Sequence, residues 1–135
     1  MKVLYAIQAT GNGHITRAEV LIPLIQKFAE IDILISGNSS DIDLSHPIKY
    51  KFFGLSFIFG KNGGINFWKT LKEIKILRFI NDVRKLKLGE YDFVLNDFEP
   101  VSAWSSFIRK KHSIALSHQY SLLNPKVPSA KKNSF

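Results

Sequence analysis

A histidine and two carboxylates occur at positions in this sequence where they could act together on a proton. His14 follows the glycine turn Gly11-Asn12-Gly13, and Asp97 and Glu99 follow a later apolar run. An imidazole accepts a proton near neutral pH, and a carboxylate beside it orients the ring and stabilises its charged form. The pattern therefore predicts a site that can deprotonate a hydroxyl group. Asp97 is the first candidate partner for His14, and Glu99 is the second.

Each of these residues also has a plainer interpretation. His14 could be a surface histidine on an ordinary strand-to-helix turn, and Asp97 could cap the helix that follows it. The glycine turn does not match a dinucleotide motif, since Thr16 stands where G-x-G-x-x-G needs its third glycine. The chain has no cysteine and its histidines lack zinc-ligand spacing, so no metal site is predicted.

The elements that position these residues alternate between strands and helices. Continuous or alternating apolar residues predict strands, and apolar residues at helical spacing predict helices. Strands are predicted over residues 3–9, 31–35, 48–53, 91–96 and 113–116, and helices over residues 15–29, 66–88 and 101–110. Pro23 lies inside the first predicted helix and is expected to kink it.

Strands that alternate with helices predict an α/β fold with a parallel sheet covered on both faces. We therefore expect a Rossmann-like, doubly wound domain of about five or more strands, spanning residues 1–123, with residues 124–135 as the start of a linker or a disordered tail. Such a sheet brings the loops after its strands to one edge. That edge is expected to carry His14, Asp97, Glu99 and His118.

Composition limits the classes of partner. The chain of 135 residues is 45% hydrophobic, as in ordinary globular domains, and its net charge of +8 attracts anionic partners. It has no signal-peptide pattern and no apolar run long enough to span a bilayer, so a cytoplasmic protein is expected. The lysine-rich helix beside the aromatic and glycine-rich segment 52–64 suits an anionic membrane surface, but these aromatic side chains could equally pack under the sheet. No nucleic-acid reader motif is present, and nucleic acid is not an expected partner.

Four ordered motifs carry a family resemblance: LYAIQATGNGHITRA at 4–18, FGLSF at 53–57, NDFEP at 96–100 and LSHQ at 116–119. Together they resemble the N-terminal half of bacterial GT-B glycosyltransferases. That group is related to the undecaprenyl-pyrophosphoryl-muramoyl-peptide N-acetylglucosaminyltransferases and to the UDP-glucuronosyl and plant UDP-sugar transferases. The resemblance covers nearly the whole chain.

The resemblance implies inverting transfer of a hexosyl group from a nucleotide sugar, a UDP-sugar by analogy, to an acceptor hydroxyl, with no cofactor or metal. His14 would be the base and Asp97 its support, and Gly11, Asn12 and Gly13 would face the donor diphosphate. Glu99 and His118 are expected among the substrate-binding residues. The acceptor could be lipid-linked, a glycan or a small molecule.

GT-B enzymes hold most of the nucleotide sugar in a second Rossmann-like domain, and the resemblance does not extend into one. The chain is therefore expected to be the acceptor-binding half, with a donor domain contributed by a continuation or by another chain. Little or no transferase activity is expected from this half alone, because it would lack the donor pocket. The alternative is a non-catalytic, basic Rossmann-like module that binds an anionic membrane, at the inner face of the plasma membrane, or a partner chain.

Overall fold

A computed structural model describes residues 1–37, 44–54 and 76–117, which form a parallel sheet with helices on both faces. The strand order is β3-β2-β1-β4-β5 among these residues, and all the pairings are parallel. The expected Rossmann-like, doubly wound α/β fold is thus confirmed. In chain order the elements are β1 (Lys2–Gln8), α1 (Asn12–Ile25), β2 (Glu30–Ser36), β3 (Tyr50–Phe52), α2 (Ile76–Lys85), β4 (Phe93–Asp97), α3 (Pro100–Ile108) and β5 (Ser113–Ala115).

The two faces of the sheet bury alternate residues, because successive side chains of a strand point to opposite sides. One face packs Leu4, Ala6 and Leu34 against residues of α2 and α3. The other packs Tyr5 and Ile7 in the same cluster as residues of α1. Side chains of β1 are therefore buried on both faces of the sheet, which explains why its sequence is a continuous apolar run.

The central strand β1 pairs with β2 on one side and with β4 on the other. The chain leaves β1 through α1 toward β2 and β3, and later returns to the opposite side of β1 as β4. The strand order thus reverses between β1 and β4. Ligands of open α/β sheets bind outside the carboxyl ends of the strands at such a switch point.

The helix boundaries differ from the sequence expectation in one informative place. The first helix was expected over 15–29, but α1 begins at Asn12 and ends at Ile25, two residues after Pro23. Proline has no N–H to donate within the helix. The residues after Ile25 form turns, with the Phe28 N–H donating to the Ile25 carbonyl.

Several sequence predictions fall outside the described residues. These are His118, most of the aromatic and glycine-rich segment, the first part of the long lysine-rich helix and the expected tail at 124–135. No helix in the described ranges 1–37, 44–54 and 76–117 is both long and apolar enough to cross a membrane.

The amino edge of the sheet carries a network of charged side chains. Asp32 accepts hydrogen bonds from Lys49 Nζ (2.7 Å) and from the Tyr91 hydroxyl (2.9 Å), and Lys2 Nζ lies 3.3 Å from it. Glu90 bonds to both lysines. Burial acts to raise the pKa of Asp32, but the bonds from Lys49, Tyr91 and Lys2 outweigh it and hold that pKa below its ordinary value. The network joins β1, β2 and the loops before β3 and β4 at the edge opposite the glycine turn.

Candidate active site at the carboxyl edge

His14 and Asp97 meet at the carboxyl edge of the sheet, where β1 and β4 lie side by side. His14 is the third residue of α1, directly after β1, and Asp97 is the last residue of β4. His14 Nδ1 lies 2.8 Å from Asp97 Oδ1, with the carboxylate fully buried and about a quarter of the imidazole side chain exposed. The two residues that the sequence singled out first are therefore in hydrogen-bonding contact.

The register of β4 explains why Asp97 turns toward α1. Asp97 is aligned with Ile7 and Leu95 with Tyr5, so these four side chains share one face of the sheet. That face is the one packed against α1. The neighbouring Asn96 points to the other face, where its side-chain amide donates to the Ser102 hydroxyl at the start of α3.

Two further residues contact the buried carboxylate, and the sequence reasoning did not identify them. Arg17 Nη1 lies 3.0 Å from the same Oδ1 atom that His14 contacts, and the Tyr5 hydroxyl donates to Oδ2 over 3.4 Å. Burial, together with the charge of Asp97, raises the pKa of Tyr5, so this phenol stays a donor. The sequence could have predicted that Arg17 lies near His14, because residues three apart in a helix share a face.

This arrangement selects one tautomer of His14. Arginine and the protonated tyrosine can only donate to the Asp97 carboxylate. The carboxylate therefore accepts from His14 as well, which places the ring hydrogen on Nδ1. Nε2 keeps its lone pair and can accept a proton.

Phe98 lies next to His14 in a strained backbone conformation. Its φ is +61°, in the left-handed region that bulky side chains rarely adopt, and its ring is stacked on the His14 ring at 6.1 Å between centroids. About half of this residue is exposed. Such strain persists only where the surroundings enforce it, and it often marks a functional site. Phe98 gives the exposed imidazole an apolar neighbour.

Glu99, the second candidate partner of His14, has a different position. It is the N-cap of α3, is fully buried, and accepts hydrogen bonds from the backbone N–H groups of Val101 and Ser102. Burial raises its pKa, while hydrogen bonds from Ser102, Ser36 and Val101 act in the opposite direction. The Glu99 carboxylate has no accessible surface here, and its role in substrate binding stays a prediction. The helix cap that Asp97 could have provided is made by Glu99 instead.

A glycine supports this cap from the end of β3. Gly54 has a φ of +65°, and a Cβ atom there would lie 2.7 Å from Ser36 Oγ and 2.8 Å from Ser36 Cβ. No side chain fits without displacing Ser36, which hydrogen bonds to Glu99. The glycine of the second sequence motif is thus required by close packing at the carboxyl edge.

The glycine turn before His14 is not explained by packing in the same way. Gly11 is the N-cap of α1 with an extended φ of −175°, which any residue can adopt, and Gly13 lies in the first helical turn. A Cβ atom on either glycine would meet nothing within 4 Å. Asn12 and Gly13 are exposed, and the first turn of α1 contains no acidic residue. The start of α1 is therefore open and carries the partial positive charge of a helix N-terminus.

One comparison with known proteins identifies a family for this chain. A family model described as glycosyl transferase family 1 matches residues 1–133. No curated protein and no solved structure matches the chain in the two other comparisons.

Proposed function

Because the chain belongs to glycosyl transferase family 1, we propose that it is the acceptor-binding half of an inverting, nucleotide-sugar-dependent hexosyltransferase with His14 as its base. The observation that carries the proposal is the 2.8 Å contact between His14 Nδ1 and the buried Asp97 Oδ1. It leaves Nε2 of a partly exposed imidazole as the proton acceptor. The contact lies at the switch point between β1 and β4, where an α/β sheet binds its ligands.

In the proposed reaction, the acceptor hydroxyl gives its proton to His14 Nε2 as its oxygen attacks the anomeric carbon of the sugar. The bond from that carbon to the diphosphate oxygen breaks on the opposite side, so the configuration inverts and the nucleoside diphosphate leaves with the electron pair. The imidazolium that forms is stabilised by Asp97, whose low-dielectric surroundings strengthen the attraction. Arg17 and Tyr5 hold the carboxylate in place and are positioning residues.

The open start of α1 supports a contact with the leaving diphosphate. The backbone N–H groups and the helix dipole at a helix N-terminus favour an anion, and glycine lets a phosphate approach the backbone. Gly11, Asn12 and Gly13 are the proposed contact residues, as expected from the sequence. A donor domain outside the described residues would hold the rest of the nucleotide sugar. The half-exposed ring of Phe98 would provide apolar contact for the acceptor beside His14.

The proposal is tested by sugar transfer from a panel of labelled UDP-sugars to hydroxyl acceptors, measured with the donor domain present in the unaltered protein and in the His14→Ala variant. We expect transfer to fall by about 10²–10⁴-fold, the usual contribution of a positioned general base. The product should have the opposite anomeric configuration to the donor, as read by NMR coupling constants. His112→Ala is the matched control, since His112 is exposed and precedes β5 on the far side of β4. Full activity in His14→Ala, or retained configuration, would contradict the proposed mechanism.

A further inference from the structure

Phe98 has a backbone conformation that its own side chain disfavours. Its φ of +61° is one of two positive values among the non-glycine residues in the described part of the chain. The other belongs to Lys110, which directly follows the C-cap residue of α3, where helices commonly end in this conformation. Phe98 instead lies between the end of β4 and the start of α3. Glycine and asparagine adopt the left-handed conformation more readily than phenylalanine, so the aromatic residue lowers stability at this position.

Buried hydrogen bonds on both sides of Phe98 enforce this conformation. The Asn96 side-chain amide donates to the Glu99 carbonyl over 2.6 Å, and the Glu99 N–H donates to Asn96 Oδ1 over 3.2 Å. Pro100 restricts Glu99 to extended backbone, as its φ of −94° and ψ of 117° show. Asp97 faces α1 and Glu99 caps α3, so the chain crosses between the two layers at Phe98. The path of the backbone is therefore fixed by the neighbours of Phe98.

The side chain of Phe98 lies against the proposed base. The Phe98 and His14 rings are parallel to within 5°, and their centroids are 6.1 Å apart, within the range of offset-stacked aromatic pairs. Phe98 is 48% exposed, so burial of its own ring offsets only part of the backbone strain. The stack on His14 accounts for an aromatic residue at a position that favours glycine.

The hydrogen bond to Asp97 does not by itself fix the direction in which His14 accepts a proton. The 2.8 Å contact anchors the Nδ1 atom of the imidazole, but the ring can still turn about that contact. A parallel aromatic ring fixes the plane of the imidazole. Because the Nε2 lone pair lies in that plane, the Asp97 contact and the Phe98 ring together determine where the lone pair points.

We propose that Phe98 is a positioning residue that fixes the plane of the His14 imidazole, and that its strained backbone is retained for this purpose. The inference rests on the proposed function of His14 as the base. A general base must lie within hydrogen-bonding reach of the proton that it removes, and a misplacement of about 1 Å can lower the rate by about 10²-fold. Strain of this kind is typical of functional sites, where the surroundings enforce it.

Four substitutions at residue 98 separate the ring from the backbone. Phe98→Tyr keeps the ring, Phe98→Leu keeps an apolar side chain without a planar ring, and Phe98→Ala and Phe98→Gly remove both. With the donor domain present, kcat for sugar transfer should fall by about 10–10²-fold in Phe98→Leu and by less than about threefold in Phe98→Tyr. The KM for the acceptor should change by less than about threefold in both, because each keeps an apolar contact for the acceptor.

Side-chain relaxation of ¹³C-labelled histidine tests the same point without any transfer reaction. The order parameter of the His14 ring should fall in Phe98→Leu and stay unchanged in Phe98→Tyr. Phe28→Leu is the matched control, because Phe28 is 80% exposed beyond the C-terminal end of α1, whereas His14 lies at the start of that helix. The control should change neither the His14 order parameter nor kcat.

Urea denaturation tests the strain separately. Phe98→Gly should unfold at a higher urea concentration than Phe98→Ala, because both lack the ring and only glycine adopts a positive φ without strain. Equal midpoints, or a higher midpoint for Phe98→Ala, would show that the backbone at residue 98 is not strained and would overturn the inference.

Two further results would overturn it. One is an unchanged kcat in Phe98→Leu in a protein in which His14→Ala abolishes transfer, and a raised KM in that case would make Phe98 an acceptor-binding residue instead. The other is an unchanged order parameter of the His14 ring in Phe98→Leu. Full activity in His14→Ala would contradict the proposed base, and the order parameter would still report whether Phe98 holds the imidazole plane.

Discussion

Replacing Asp97 by asparagine should both destabilise the domain and weaken His14 as a base. The carboxylate is fully buried and has three donors around it, at 2.8 Å (His14), 3.0 Å (Arg17) and 3.4 Å (Tyr5). A hydrogen bond to a charged group contributes about 1.5–3 kcal/mol, and removal of one partner leaves the others unsatisfied. The Arg17 and His14 side chains are about a quarter exposed, so solvent screens part of their attraction to the Asp97 carboxylate.

We therefore expect the free energy of unfolding of Asp97→Asn to fall by about 2–3 kcal/mol, which a domain stable by about 5–15 kcal/mol survives. Asparagine has one acceptor oxygen, which must stay where His14 and Arg17 both contact Oδ1, so its NH₂ group faces the Tyr5 hydroxyl, whose oxygen can accept. The ring hydrogen of His14 stays on Nδ1, but a neutral amide stabilises the imidazolium less than a carboxylate does. Any transfer activity should therefore fall by about 10–10²-fold, as for loss of one hydrogen bond between charged groups.

Urea denaturation followed by circular dichroism measures the first effect, and transfer assays with the donor domain present measure the second. Tyr5→Phe is the control, because it removes the longest contact to Asp97. It should cost about 1 kcal/mol or less and leave the hydrogen on Nδ1. The reasoning is refuted if Asp97→Asn is as stable as the unaltered chain, or if ¹⁵N NMR of labelled histidine shows the His14 ring hydrogen on Nε2 in that variant.

Three further predictions concern the two edges of the sheet. Gly54→Ala should lower the free energy of unfolding by about 2 kcal/mol or more, because a positive φ and the Ser36 contact both oppose a side chain; an unchanged urea midpoint would contradict this. Gly13→Ala should leave stability unchanged or raise it by up to about 1 kcal/mol, since alanine favours helix and its Cβ meets nothing. The same change should weaken UDP binding measured by calorimetry, and equal affinity would argue against phosphate contact there. Asp32→Asn should reduce the acid sensitivity of the fold, because the hydrogen bond from Lys49 helps hold the folded-state pKa of Asp32 below 3.8. The stabilisation by the Asp32 carboxylate is complete above its unfolded-state pKa and is lost as the pH falls through its folded-state pKa. Urea midpoints measured at decreasing pH across these two pKa values should therefore decline less in Asp32→Asn than in the unaltered chain.

The local features of the site follow from the sequence alone. An apolar run, a glycine turn and helical spacing are all short-range patterns, and they correctly place His14 in the first turn of a helix after a buried strand. The alternation of strands and helices likewise predicts the parallel sheet. These predictions succeed because hydrogen bonding and side-chain periodicity within one element depend on neighbouring residues.

Only the tertiary structure decided which carboxylate meets His14. Asp97 and Glu99 stand two residues apart, and the sequence could only rank Asp97 before Glu99, whereas the register of β4 turns Asp97 toward α1. The positive φ of Phe98 lies between them, and Glu99 caps α3 in the opposite layer. Pairing between distant strands and the coverage of each face determine this outcome, and neither is encoded in local spacing.

The same reason applies to the other groups around Asp97. Tyr5 and Arg17 are 92 and 80 residues away from it in the chain, and their contacts depend on β4 lying next to β1. The sequence by itself determined the elements and the position of the histidine within its own helix. The strand order, which places the end of β4 beside the start of α1, turned that histidine into part of a buried hydrogen-bond network.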